Sequence, residues 1–471
     1  MAKYVVVCNI FPNLSSYSLK LIMKKSALFL LSFFSVFAFS QKKWTLQECV
    51  NYAIENNLQV LQSGLNKKNQ DLNLDIAKRD YLPSVNGTVQ SNGSFGQQLV
   101  GTQTVRNDNF NNNINVGANM LLFNYGRLAK QIRKTQFDVE ASQFDTEAIK
   151  NNISLQIAQQ YLSVLLNKEI VKISNSSLEN AQSVYNRSKI TTDVGTTAQT
   201  VLAEATAALA REKQNVQTAQ INVSRSLFAL AQLLQLPNYK DFDVVDVPVD
   251  NQLDAPLYSA ETILDKALSD QPEIKAAESR ISSANAQTEV ARTAFWPTVS
   301  ATAGFGTFYF NSLTTNIRGY DPVNNVTLTE QNFFGQSKDN FGQQIGLSAN
   351  IPIFNKGITR LQVEQTKINE DIAKNNLEQS KQNIKENVQQ AQFDAESNYE
   401  NYLAAVEAER SSTLALDFAQ KSFEAGRTTI YDLTNARNNL ANAQGSVAQS
   451  KYNYLFSLKL LNFYAGIPLS L

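Results

Sequence analysis

The chain has no histidine, two cysteines and ten prolines among 471 residues. Without histidine it lacks the commonest general base and the commonest zinc ligand. Ser-His-Asp and Cys-His arrangements are excluded, and most acid–base and zinc chemistry goes with them. Charge is scarce too: 18% of residues are charged, and 42 basic side chains balance 42 acidic ones. Zero net charge gives no general attraction for nucleic acid or anionic lipid. Past residue 40 no apolar run reaches the ~20 residues a membrane-spanning helix needs. If this protein enters a membrane, it must do so as strands. Paired carboxylates remain formally open as acid–base groups, but no spacing singles out a pair. No catalytic residue, metal site or cofactor is therefore assigned.

What the chain has instead is uncharged polarity, carried by Asn, Gln, Ser and Thr. At its start, Met23-Lys24-Lys25 precedes an apolar run from Ala27 to Phe39, with small residues at Ala38 and Ser40. This fits a secretory signal cleaved after Ser40. A buried helix or membrane anchor is the alternative. Residues 1–22 do not fit the signal and read as an upstream extension. Cleavage removes Cys8 and leaves Cys49 as the only thiol, so the exported chain needs no internal disulfide.

The rest is a duplication. Ala53-Ile54-Glu55-Asn56-Asn57 recurs loosely as Ala267-Leu268-Ser269-Asp270-Gln271, and Tyr81-Leu82-Pro83 as Phe295-Trp296-Pro297, both 214 residues on. Phe123-Asn124-Tyr125-Gly126 recurs as Phe354-Asn355-Lys356-Gly357, and Gly195 as Gly426, now 231 residues on. One segment between proline and Phe-Asn-X-Gly has accepted an insertion: 97–109 in the first repeat, 311–340 in the second. The units are an extension and signal over 1–40, a first repeat over 41–240, an acidic linker over 241–258 and a second repeat over 259–471.

Each repeat has the same order of patterns. Thr45-Leu46-Gln47-Glu48 is a capping box opening a helix to about Arg79, which Pro83 ends. Two segments of period two follow in each repeat. In one of them Ile114, Val116, Ala118, Met120 and Leu122 alternate with Asn113, Asn115, Gly117 and Asn119. Such alternation marks a half-buried strand. A soluble β-sheet is the competing reading. An almost chargeless polar face of Asn, Gln, Gly and Ser suits a water-filled lumen behind a lipid-facing band better. Four strands cannot close a barrel around a channel, so other copies of the chain must complete the sheet or it stays open.

After Phe-Asn-X-Gly each repeat runs without proline or glycine to Gly195 or Gly426. Val363, Ile368, Ile372, Leu377, Ile384, Val388 and Ala391 are spaced like one narrow coiled-coil stripe. Glycine then ends the helix, and Thr196-Thr197 or Thr428-Thr429 is expected to cap the returning one. Each repeat thus contains a long helical hairpin with its tip far from the strands.

A signal peptide, doubled strand pairs, doubled long hairpins and glycine at both tips together resemble the TolC family of outer membrane efflux proteins, over about 41–471. The resemblance implies a mainly α fold with β. Duplicated long helical hairpins form a periplasmic α-barrel, and four transmembrane strands per chain make a 12-stranded barrel in a homotrimer. It implies a passive outer membrane channel component of a tripartite efflux or export system, partnered by a periplasmic adaptor, an inner-membrane pump and outer membrane lipid. It implies no enzyme activity. In that family aspartates six and nine residues past the second tip glycine narrow the pore. Here those positions are Asp432 and Asn435, and the corresponding first-repeat position is Val201. The family's latch tyrosine is Phe423 here, and its gating arginine is displaced by one place to Arg427. Adaptor docking falls by the same resemblance on Gly195, Thr196, Thr197, Gly426, Arg427 and Thr428. The competing class is a periplasmic coiled-coil adaptor or structural protein without a membrane barrel.

Overall fold

The structure is a computed structural model that describes residues 43–100, 102–247, 253–255, 260–313, 319–321, 326–328 and 332–467. The expected signal segment and its cleavage point lie outside these. In chain order the first half comprises β1 (Lys43–Trp44), α1 (Leu46–Asn56), α2 (Leu58–Arg79), β2 (Ser84–Ser94), β3 (Gln97–Val100), β4 (Gln103–Arg106), β5 (Asn109–Phe123), α3 (Arg127–Asp193), α4 (Gln199–Leu233) and β6 (Asp243–Val244). The second half comprises α5 (Ala260–Asp270), α6 (Pro272–Arg292), β7 (Thr298–Ser312), β8 (Gly319–Asp321), β9 (Val326–Leu328), α7 (Phe333–Asp339), β10 (Gly342–Asn350), α8 (Ile358–Glu424) and α9 (Ile430–Tyr464).

The two halves are built alike. Helices α3 and α8 each have 67 residues, and α4 and α9 each have 35. Each strand-to-helix corner uses the Phe-Asn-X-Gly turn with two successive left-handed residues: Tyr125 (φ 54°) and Gly126 (φ 73°), then Lys356 (φ 59°) and Gly357 (φ 77°). Glycine adopts that region freely, whereas Tyr125 and Lys356 are held there by the turn.

The expected single helix from Leu46 to Arg79 is two helices. Asn57 leaves the helical region (φ −68°, ψ 129°) and its side chain accepts from the Gln59 N–H at 2.8 Å, so it caps α2. Its counterpart Gln271 breaks the helix in the same way (φ −64°, ψ 130°), without a side-chain cap bond but with Pro272 in the first turn of α6. The capping box at Thr45 and Glu48 is present.

Apolar residues at matching positions build two cores. One gathers Cys49, Ala53, Val60, Ile153, Ile157, Val164 and Leu230. The other gathers Ile263, Ala267, Ile274, Ile384, Val388, Ala395 and Leu461, their partners in the duplication. Cys49 therefore occupies the place of Ile263 and serves as a small hydrophobe. It is fully buried, and burial pushes its thiol up to about 12.

Within the acidic stretch expected as a linker, Phe242 and Val244 belong to the first core. Strand β6 pairs in parallel with β1, and the Tyr161 hydroxyl donates to the carbonyls of Trp44 and Val245 at 3.2 and 3.0 Å. Lys168 Nζ lies 2.7 Å from Asp243 and 2.9 Å from Asp246. Burial alone would raise the Asp243 pKa, but the hydrogen bond and charge of Lys168 outweigh it and leave the carboxyl below its ordinary range.

The four long strands form one antiparallel sheet in the order β10-β7-β5-β2. None of them contains Asp, Glu, Lys or Arg. The two insertions carry structure of their own: the β3–β4 hairpin in the first, β8–β9 and α7 in the second.

Candidate functional site

Two regions have functional geometry: the faces of the sheet and the tips of the hairpins. In the sheet, Val85, Ala118, Ala303 and Ile345 lie directly opposite one another across all four strands, as do Met120, Ala301 and Leu347 across three. Opposed residues share a face, so these rows make an apolar surface. The intervening rows are Asn86-Gly117-Gly304-Gln344 and Ser84-Asn119-Thr302-Gly346. Ile345 is 91% exposed and Leu347 74%, which in water would be an unfavourable apolar patch. The opposite face is wettable but holds no fixed charge. An apolar face, an uncharged polar face and strands of up to 15 residues are what a lipid-to-lumen wall requires.

Both tips end in the same hydrogen-bonded cap. Gly195 (φ 76°) donates to the Thr192 carbonyl and Thr196 to that of Thr191; Gly426 (φ 70°) donates to Phe423 and Arg427 to Ser422. These paired bonds satisfy the last helical carbonyls, and glycine is needed because its left-handed φ strains any other residue. The returning helices start differently. Thr196 and Thr197 do not cap α4. They fold back on α3, with Thr196 Oγ1 donating to the Thr191 carbonyl at 2.8 Å and Thr197 Oγ1 within 3.0 Å of both Thr191 and Thr192 hydroxyls. The N-cap of α4 is Ala198, which has no side-chain cap bond. In the second tip the cap is Thr429, one residue past the adaptor-docking candidate Thr428.

Asp432 completes that cap. The Thr429 N–H and hydroxyl both donate to its Oδ2, at 3.0 and 2.7 Å. These bonds hold the carboxyl below the ordinary carboxylate range. Asn435 is half-buried one turn on, and Arg427 is exposed at the corner. Thr428 is half-buried, and its hydroxyl has no hydrogen-bond partner among the described residues.

The structure brings some of these residues together and separates others. A cleft of about 740 Å³ between the two hairpin tips is lined by Thr197, Phe423, Gly426 and Thr428 together with Arg187 and Arg437. Gly195, Thr196, Arg427, Asp432 and Asn435 lie off its lining. Arg187 places its guanidinium 5.8 Å from the Phe423 ring centroid. Arg437 donates to the Asn180 carbonyl across the gap at 3.3 Å, and burial lowers its pKa. Sequence reasoning missed both arginines, because neither falls on a repeat landmark. It also missed Glu204, which the 231-residue offset places at Asn435's counterpart and which lines the same cleft.

Among the described residues no helix is long and apolar enough to cross a membrane, and no acidic or thiol cluster could hold a metal ion.

The chain is 23% identical over 427 residues to the outer membrane efflux protein BepC of Brucella suis biovar 1, covering 89% of this chain and 84% of that one. It is 24% identical to the cation efflux system protein CusC of Escherichia coli O157:H7, over 82% of each chain. Its fold matches the Campylobacter jejuni CmeC outer membrane channel with a TM-score of 0.71, at 20% identity and covering 89% of this chain and 85% of that one. The family model for outer membrane efflux proteins matches residues 49–235 and 263–466, one segment in each half of the duplication, and the chain belongs to that family.

Proposed function

We propose that three copies of this chain form a passive exit duct, a 12-stranded outer membrane barrel continuous with a helical tunnel. The repeats over 41–240 and 259–471 act as six near-equivalent wall units. The observation that carries this is a gap in the internal symmetry. Among the described residues strand β7 is flanked by β10 and β5, but its counterpart β2 has only β5. Helix α6 packs against both α8 and α3, but its counterpart α2 packs against α3 alone of the long helices. Equivalent surroundings for β2 and α2 require the β10 and α8 of another copy. The surfaces left open fit such a contact. On α2, Leu58, Leu61, Leu65, Leu72 and Ile76 form an exposed stripe, and on α8 Leu361, Ile368 and Ile372 form another, each more than half exposed. Both stripes have coiled-coil spacing. Closure through three copies supports a lumen, because twelve strands enclose more than side chains fill.

The duct carries out no chemistry on what passes. A wide polar lumen discriminates weakly, and any selectivity resides in charges at the narrow end. Asp432, Asn435, Arg427 and Phe423, with Glu204, are the residues we place there. A periplasmic adaptor engages the tips at Gly195, Thr196, Thr197, Gly426, Arg427 and Thr428, and passes on solute from an inner-membrane pump. The test is extraction and reconstitution of the mature protein. A detergent-requiring trimer that conducts ions in a planar bilayer is expected. A monomer soluble without detergent points to the periplasmic coiled-coil alternative and sinks the duct.

A further inference from the structure

Along the edge that faces β10, the upper part of β7 has no strand partner among the described residues. Strand β10 pairs with β7 only from Thr298 to Gly306, whereas β5 accompanies β7 to Ser312. Beyond Gly306, helix α7 takes the place of β10. The Gln336 side chain accepts from the Phe310 N–H at 3.1 Å and donates to the Phe310 carbonyl at 3.0 Å, so one amide reproduces both bonds of a missing strand residue. Asn340 donates to the Phe308 carbonyl at 2.8 Å. The edge of β7 is thereby satisfied without β10.

Helix α7 is displaced toward the apolar face. Thr307 and Tyr309 stand on that face, since they lie opposite Ile114 and Asn112 in the alternation that includes Val116. The Thr307 hydroxyl donates to the Ser337 carbonyl at 2.6 Å, and the Tyr309 ring meets Phe333 edge-on at 5.2 Å. Phe333 in turn touches Phe334, and Tyr309 touches Phe110. Phe334 is 81% exposed. At the other end of the same strands, Trp296 stacks on Tyr125 with centroids 4.1 Å apart. The 15 residues of β7 rise about 50 Å along the strand, or about 38 Å across a sheet tilted by ~40°, more than the ~25 Å apolar band of a barrel. The nine residues of β10 cover about 23 Å by the same arithmetic, close to the band alone. The end of β10 then marks the outer interface, where aromatic girdles sit.

We propose that α7 is a lipid anchor at the outer rim, clamped to β7 by Gln336 and Asn340 and seating Phe333 and Phe334 in the outer leaflet. This rests on the reading of the sheet as a membrane wall, and it assigns the second-repeat insertion a partner: the lipid surface rather than a neighbouring protomer.

The test is nitroxide labelling of Phe334→Cys in the full chain carrying Cys8→Ser and reconstituted in vesicles, with Ile345→Cys marking the apolar face and Asn113→Cys the polar one. Cys49 is fully buried and does not compete for label. Relaxation of the label by lipid-soluble oxygen but not by a water-soluble nickel chelate, matching Ile345→Cys, is the expected result. Nickel-dominated relaxation places the residue in external water and overturns the anchor. A label reached by neither reagent is packed against protein and overturns it equally. Nickel access at Ile345→Cys would remove the membrane wall itself, a failure separate from that of α7.

Discussion

The Arg187 guanidinium lies over the Phe423 ring, 5.8 Å from its centroid, and joins the end of α3 in the first hairpin to the end of α8 in the second. An exposed contact of this kind contributes ~0.5–1 kcal/mol. If it holds the tips together, Arg187→Ala will raise the open-to-closed ratio of single channels about two- to five-fold. Phe423→Tyr retains the ring and should leave that ratio near wild type. Equal dwell times in Arg187→Ala and wild type would show that the contact does not gate.

The returning helices differ in their N-caps, and the difference predicts opposite mutational effects. Thr429→Ala breaks a capping box and should destabilise the start of α9 by ~1 kcal/mol. Ala198→Thr installs a capping oxygen where none exists and should stabilise the start of α4 by a similar ~1 kcal/mol. Amide hydrogen exchange of the first turns reads both changes. Faster exchange in Ala198→Thr would contradict the assignment.

Asp432 has two separable roles, in the cap and in the proposed constriction. Asp432→Asn keeps a side-chain oxygen for the cap and removes the charge, whereas Asp432→Ala removes both. Bilayer reversal potentials should shift toward lower cation preference in both variants, and further when Glu204→Gln is added. An unchanged potential in Asp432→Asn would leave the residue as a helix cap alone.

The Lys168 cluster ties the segment after α4 to the first core and should be sensitive to acid. The Asp243 carboxyl has a folded pKa below its ordinary value. Its contribution is therefore fully present above the ordinary value of ~4, and it is lost as pH falls through the lowered one. The melting temperature should drop on acidification below about pH 4, and less steeply in Asp243→Asn. Lys168→Met removes charge-assisted hydrogen bonds and should cost about 1.5–3 kcal/mol at neutral pH. A Lys168→Met protein as stable as wild type would refute the cluster's role.

Assembly should depend on the exposed α2 stripe. Leu65 is 52% exposed in one protomer, so Leu65→Glu leaves its folding intact while placing a charge at the proposed contact between copies. Light scattering in detergent should then report monomers. Intact trimers would exclude α2 from the interface.

Much of this architecture was legible in residue order. The constant offsets gave the duplication, and the chargeless alternation gave the strands. The absence of proline and glycine between Gly126 and Gly195 gave a helix of the observed length. These signals are local and periodic, which is why they survive without coordinates. The break at Asn57 was missed because asparagine is tolerated inside helices. Its role as a cap is decided by how α1 turns into the core. The acidic stretch reads as a linker until Lys168, 75 residues earlier than Asp243, is placed beside it.

The sequence by itself determined the four long strands, the long helices, their doubling and the exclusion of histidine-based chemistry, since periodicity, glycine and residue type are properties of neighbours along a chain. Only the tertiary structure decided which apolar rows share a face. It alone showed that Asp432 caps its own helix, that two arginines line the cleft between the tips and that α7 completes the edge of β7. Those relations join residues distant in sequence, and their energies depend on burial, distance and direction, none of which a linear order contains.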